Sequence, residues 1–435
     1  MHIQNDAKDK TIAILERIFA DYPTEDFAVR LWDGTTWPDG GKSSSPFTLV
    51  LNHPGALRKM FLPPSELNLG EAYIYGDFDV EGDLIAAFSL SVYFQNLNLR
   101  IGDKLGLARQ LFTLPNTAAP QEGWQGAAVH GERHSRERDR QVISYHYDVS
   151  NDFYALWLDK HMVYSCAYFA TLDEDIHTAQ ERKLDYICRK LRLQPGERLL
   201  DIGCGWGGLA IYAAQHYGVD ALGITLSEPQ VDWASERIVE AGLEDRCRVA
   251  YMDYREVTPV EPFDKLVSVG MFEHVGEEKM RIYFDRAWDL LWPQGLFLNH
   301  AIARPAWEPS RADQETFSNQ YVFPDGELVP VGVSSQVAED AGFEVRDVES
   351  LREHYALTLR RWVRRLESEH EAALRHVDEV TYRIWRLYMA GSAHGFESGR
   401  LNVYQTLFAK PSPEGESGLS LTREDLYRPQ VTERI

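Results

Sequence analysis

The chain has 435 residues, enough for two or three domains, and 44% of them are apolar, enough for a sizeable core. A net charge of −22 excludes nucleic acid as an expected partner, because that needs clustered Lys and Arg. An anionic bilayer would repel such a surface too, unless a local basic or apolar patch does the docking.

No apolar run reaches 18 residues, so no transmembrane helix is expected. The opening MHIQNDAKDK is polar and lacks the apolar stretch of a secretory signal, which predicts a cytosolic protein. Cys166, Cys188, Cys204 and Cys247 form no CxxC pair, so neither a zinc site nor a redox dithiol is indicated.

In chain order, FAVRLWDG (Phe27–Gly34) and FTLVLN (Phe47–Asn52) read as strands joined by a Gly/Ser/Pro loop. PGALRKMFL reads as a helix, and Phe88–Phe112 as one or two more. Residues 1–112 thus form a small α+β domain. Residues 113–140 are rich in Pro, Gly and charge and read as a linker. From Arg198 strands and helices alternate, the signature of a parallel α/β sheet. The strands are RLLDIG, DALGIT, CRVAYMD, FDKLVSVG and GLFLNHAIA, with GFEVRDVESL and LNVYQTLFAK later, around helices near 356–391. The catalytic domain is set at 141–410, followed by a polar tail at 411–435.

Between the first of these strands and its helix lies LLDIGCGWGG, where Gly203, Gly205 and Gly208 satisfy G-x-G-x-x-G. With no Cβ in the way, backbone there approaches a ligand closely. The glycines alone would suit NAD. However, the next strand ends at Thr225-Leu226-Ser227 rather than at the acid that holds a dinucleotide ribose. Asp201 precedes the glycines, placed to hold an ammonium, and Asp253 follows the third strand, placed for an adenine amino group. S-adenosylmethionine fits these features, carrying an ammonium and no pyrophosphate.

With YHYDVSNDFYALWLDKHMVYSCAYF, GITLSEPQ, GMFEHVG and NHAIA, this loop resembles the cyclopropane-fatty-acyl-phospholipid synthases and the related mycolic acid cyclopropane synthases. The resemblance spans about Tyr145 to Lys410. It implies a class I methyltransferase with a mostly parallel seven-stranded sheet, preceded by a small lipid-binding domain. It implies a cofactor held by Tyr164, Ser165, Leu200, Asp201, Gly203, Gly205, Gly207, Thr225, Leu226, Ser227, Gln230, Asp253 and Tyr254. It further implies a bicarbonate held by Cys166, Glu273, His300 and Tyr355. Where many relatives carry a cysteine, this chain has Ser392. A homodimer is implied by resemblance alone.

The chemistry implied is methylene transfer to a cis double bond of a phospholipid acyl chain, on the inner face of a membrane. Methyl transfer to an alkene leaves a carbocation, which water would trap, so the site must be dry and rich in aromatic faces. Ring closure needs a base near the new methyl group, the expected role of the bicarbonate. Methyl- or methylene-branching of the same chains is the alternative, and a non-catalytic lipid-binding protein the second. Each ligand also has a plain reading: Cys166 as core, Glu273 as a helix cap near Glu277, His300 as a buried histidine, Tyr355 as a half-buried ring. His274 reads as structural. LRRWVRRL (Leu359–Leu366) reads either as a membrane-docking patch or as a charged face paired with Glu367, Glu369 and Glu371.

Overall fold

The computed structural model describes residues 2–23, 26–38, 45–96, 100–147 and 149–427. These form two compact units. The first joins residues 1–126 to 314–322 and 366–394, and the second holds the rest.

In the first unit a four-stranded sheet has the order β2-β1-β3-β4, from Phe27–Arg30 (β1), Thr36–Trp37 (β2), Phe47–Leu51 (β3) and Phe78–Gly82 (β4). The two strands expected from sequence are β1 and β3, which pair in parallel, and most of the loop expected between them (39–44) lies outside the described residues. Phe27 lies 4.8 Å from Phe19 and 5.6 Å from Phe47, ring centre to ring centre, and anchors an aromatic core. The polar opening of the chain is a helix, His2–Ile18, whose buried Thr11, Ile14, Leu15 and Ile18 recur at helical spacing.

Residues 366–394, read from sequence as part of the catalytic domain, pack in this unit instead. The reason is polar. Arg383, on the helix Glu379–Glu397, donates to the Tyr73 carbonyl and pairs with Asp79. Arg386 donates to the Tyr73 hydroxyl at 2.6 Å and pairs with Glu367 at 2.8 Å.

The second unit is built on a seven-stranded sheet of order β10-β11-β9-β8-β5-β6-β7. Its strands are Arg198–Ile202 (β5), Asp220–Thr225 (β6), Cys247–Tyr251 (β7), Phe263–Val269 (β8), Leu291–Ala303 (β9), Glu344–Ser350 (β10) and Asn402–Ala409 (β11). Strands β5 to β9 run parallel, and β11 lies antiparallel to both β9 and β10. All seven strands expected from sequence are present. Both faces are covered, as a parallel sheet requires. Leu199 faces one core cluster with Leu209, Val219 and Leu298, and the adjacent Leu200 faces the other with Phe284 and Phe297. The parallel order reverses beside β5, with β6 on one side and β8 on the other, so the crevice at the carboxyl ends of these strands is where a ligand is held.

The helix Arg136–Tyr147 begins within the stretch read as a linker, and Arg138 fixes it by donating to Asp325 at 2.8 Å. The polar tail is anchored up to Tyr427: Leu426 is buried, and Arg192 pairs with Asp425 at 2.8 Å. Its remainder, 428–435, lies outside the described residues.

Candidate active site

Strand β5 ends in a turn whose backbone only glycine adopts readily. Gly203, Gly205 and Gly207 have φ of +79°, +55° and +81°. The amides of Gly203 and Cys204 both donate to the Ile224 carbonyl on β6, which locks the turn against the sheet. A Cβ on Gly203 would lie 2.7 Å from that of Met271. Gly203→Ala is therefore expected to cost about 1–3 kcal/mol through strain alone, visible as a lowered unfolding midpoint together with weaker cofactor binding. A midpoint equal to wild type would show that the turn tolerates a side chain.

A partly open cleft extends from this turn across the ends of β5 to β8. Tyr164, Ser165, Asp201, Gly203, Gly205, Thr225, Leu226, Gln230, Asp253 and Tyr254 all line it. Three expected residues do not. Leu200 points to the opposite pleat from Asp201 and lies in the core. Gly207 starts the helix Gly208–Tyr217 and faces Ala234. Ser227 is buried behind Thr225, to whose hydroxyl its amide donates at 3.3 Å.

The cleft has a strongly polar end. Burial pushes the Asp201 carboxyl up to about 7, and the Lys183 ammonium acts in the opposite direction. Lys183 is itself buried and donates to Ser165 Oγ at 2.9 Å. Burial pulls its pKa down to about 8, against the carboxylates of Asp159 and Asp201. At the far end Asp253 is buried, a cost that Arg255 outweighs, so its carboxyl stays below the usual range. Arg255 donates to it through both its amide (2.9 Å) and its Nε (2.8 Å), and also reaches Asp139 at 2.8 Å. A carboxylate near bare glycine backbone, with a hydroxyl and an amide at Thr225 and Gln230, suits a cationic nucleoside. A pyrophosphate would meet Asp201.

Sequence reasoning missed Lys183. Its signal was a lysine at an apolar position of the helix Ile176–Lys190, in the stripe Ile176, Ala179, Gln180, Lys183, Leu184, Ile187. His274 was read as structural, yet it lines the cleft, and burial holds its pKa down at about 4.

The four expected anion ligands lie outside the cleft lining, and two of them adjoin it in sequence. Cys166 follows Ser165, and Glu273 lies between the lining residues Met271 and His274. Glu273 sits in a short 3₁₀ turn after β8, where its Oε1 accepts from the Ile302 amide at 2.7 Å. Its partner is β9, so it is not a helix cap. Its Oε2 is buried and has no partner among the described residues, and burial pushes the carboxyl up to about 7. His300, on β9, meets Gln405 Nε2 through Nδ1 at 3.3 Å. With that amide as donor, Nε2 carries the proton, and it too is buried without a partner among the described residues. Burial keeps the ring neutral.

Cys166 and Tyr355 meet at one carbonyl. Leu351 O accepts from Cys166 Sγ at 3.6 Å and from the Tyr355 amide at 3.0 Å. The Leu351 amide donates to Val403 on β11, which pairs with Ile302, the residue held by Glu273. Burial pushes the Cys166 thiol far above its ordinary range, so it stays a neutral donor. The Tyr355 ring packs on Phe396 (4.6 Å) and edge-on against Trp362.

The basic run around Trp362 is not a docking patch. Trp362 is buried against Trp157 and Tyr164. Arg361 and Arg365 donate to the carbonyls of Glu174 and Leu158, each at 3.0 Å. Arg360 pairs with Glu397 rather than with the nearer acids of its own segment.

The sheet order, the glycine turn and the acid-lined cleft define a class I S-adenosylmethionine-dependent methyltransferase. The model of the mycolic acid cyclopropane synthetase family matches residues 134–406, and the chain belongs to that family. A domain of unknown function matches residues 14–97. A probable fatty acid methyltransferase of Pseudomonas putida is 41% identical over 92% of this chain and 96% of its own. The cyclopropane-fatty-acyl-phospholipid synthase of Escherichia coli is 32% identical over 87% of this chain and 91% of its own. Among solved structures, the cyclopropane synthase MmaA2 of Mycobacterium tuberculosis superposes with a TM-score of 0.59 at 33% identity, covering 62% of this chain and 98% of that one. The mycolic acid cyclopropane synthase CmaA1, solved with SAH and CTAB, gives 0.58, also at 33% identity, covering 62% of this chain and 97% of that one. Membership places the chain among enzymes that use S-adenosylmethionine to cyclopropanate or methylate lipid acyl chains.

Proposed function

We propose that the protein adds a methylene group across the cis double bond of an unsaturated phospholipid acyl chain, forming a cyclopropane ring. The observation that carries this reading is the pair of buried atoms beside the cleft, Glu273 Oε2 and His300 Nε2, that have no partner among the described residues. An acceptor and a donor left without partners in the interior are costly. A small anion with an O–H group would satisfy both. When bound, S-adenosylmethionine supplies an electrophilic methyl group, and bicarbonate supplies a base for the proton lost on ring closure.

The chain's own residues divide the remaining work. Asp201 holds the ammonium end of the methyl donor, and the Gly203–Gly205 backbone lies against it. Tyr147, Tyr164 and Trp206 wall the cleft, excluding water and offering ring faces to a developing cation. Glu273 accepts the anion's O–H and so orients it, while His300 donates to it, with Cys166 and Tyr355 as the third and fourth ligands. No helix among the described residues is long and apolar enough to cross a membrane, so the enzyme works from the membrane surface in this reading.

A second reading, methyl- or methylene-branching of the same chains, is favoured by the naming of the Pseudomonas putida relative as a probable fatty acid methyltransferase. Both use one site and differ in where the proton leaves. Incubation with dioleoyl phospholipid and S-adenosylmethionine, followed by proton NMR of the released acyl chains, separates them. The proposal expects the strongly shielded ring-methylene signals of a cis-cyclopropane. Olefinic methylene or branched methyl signals in their place would overturn it for the second reading.

A further inference from the structure

The helix Ile101–Phe112 presents an unusual face for so acidic a protein. Ile101, Leu105 and Phe112 are 79%, 67% and 62% exposed. At about 100° per residue they fall, with Ala108, on one stripe about 60° wide. Lys104 borders the stripe on one side and Arg109 on the other, both exposed. The helix's single acid, Asp103, lies on the opposite side and pairs with Arg17 at 3.5 Å. Next to the stripe, the Arg58 guanidinium lies 5.3 Å over the Phe112 ring. A hollow bordered by Phe112 is lined by Arg58, Lys59, Asn116 and Thr117 as well.

An apolar stripe flanked by cations is the pattern of a helix lying in the plane of a bilayer interface. Its apolar side enters the acyl boundary while Lys and Arg reach back to the headgroups. On a chain of net charge −22, this concentration of positive charge beside exposed apolar side chains selects an anionic surface. We infer that the face of Ile101–Phe112, with Arg58 and Lys59 beside it, docks the enzyme on anionic phospholipid bilayers. The inference rests on the reading that the substrate is a membrane lipid, and it names the surface through which that lipid is approached.

The test uses the full chain without S-adenosylmethionine, co-sedimented with vesicles of dioleoyl phosphatidylglycerol or of dioleoyl phosphatidylcholine. Wild type is expected to bind the anionic vesicles at least tenfold more tightly, with affinity falling as salt rises. Leu105→Asp/Phe112→Asp should lose at least tenfold of that affinity, and Lys104→Glu/Arg109→Glu should lose the preference for the anionic lipid. These side chains are exposed, so the variants should fold, and activity on detergent-dispersed dioleoyl phosphatidylglycerol should match wild type. Unchanged vesicle binding in both variants would overturn the inference, as would a wild type that ignores anionic vesicles. So would a change from dimer to monomer in the variants with vesicle binding retained, which would make the face a contact between copies. Absence of activity on dispersed lipid in the wild type would instead sink the lipid-substrate reading, whatever the vesicles show.

Discussion

Replacing Glu273 with Gln is expected to lower turnover by about 10²–10⁴-fold, the range typical of general-base catalysis, and to leave S-adenosylmethionine affinity within about threefold of wild type. The split follows from placement. Glu273 is outside the lining of the cofactor cleft, and its Oε1 is held by the Ile302 amide while Oε2 stands unpartnered. Gln keeps the acceptor toward Ile302 and replaces the second oxygen with a donor, so only the interaction with the anion is reversed. Removing bicarbonate should slow the wild type strongly and the variant little. Because burial raises the Glu273 carboxyl to about 7, the orienting form is the ionised one, and turnover should fall as pH drops through 7. Stopped-flow turnover and calorimetric affinity, measured on the same preparations, check the split. A variant with wild-type turnover, or a wild type indifferent to thorough bicarbonate removal, would contradict the assignment.

Asp201→Ala should weaken S-adenosylmethionine binding at least tenfold, about 1.4 kcal/mol. Asp201 is a buried carboxylate on the cleft wall, where the ligand's ammonium adds a second positive charge to that of Lys183. Its carboxyl is raised to about 7, so the apo protein takes up a proton there near neutrality. A cationic ligand prefers the ionised form. Affinity should therefore fall as pH drops below 7, approaching about tenfold per pH unit. Calorimetry in buffers of different ionisation enthalpy should show proton release on binding near pH 7. An affinity flat between pH 6 and 8, or unchanged in the folded variant, would mean that the ligand's cationic end lies elsewhere.

The cofactor cleft was legible in the sequence because its parts are local. Asp201 and the glycines sit within one strand and turn, and Thr225 and Asp253 mark the ends of the next two strands. The strands of the parallel sheet, short apolar runs alternating with helices, were legible for the same reason. Leu200, Gly207 and Ser227 fall outside the cleft lining, since a motif gives a segment but not which side of the pleat or helix start each side chain takes. Lys183 was passed over among the charges of its helix; only the fold shows that it turns inward to Ser165. The membership of residues 366–394 in the first unit was illegible. It depends on Arg383 and Arg386 meeting Tyr73 and Asp79, some 300 positions earlier, and no local pattern encodes such a pairing. The basic run Leu359–Leu366 misled for a related reason: its arginines find backbone carbonyls and Glu397, partners that are distant in sequence.

In this reading the cleft delivers a methyl-derived carbon to a lipid acyl chain. The most direct test incubates the protein with methyl-labelled S-adenosylmethionine and dioleoyl phosphatidylglycerol vesicles, saponifies the lipid, and counts label in the released fatty acids. Label should appear in the acyl fraction with wild type, fall at least tenfold with Asp201→Ala at limiting S-adenosylmethionine, and be absent with a saturated phospholipid. No acyl label from a protein shown to bind S-adenosylmethionine, or equal label with the saturated lipid, would contradict the account.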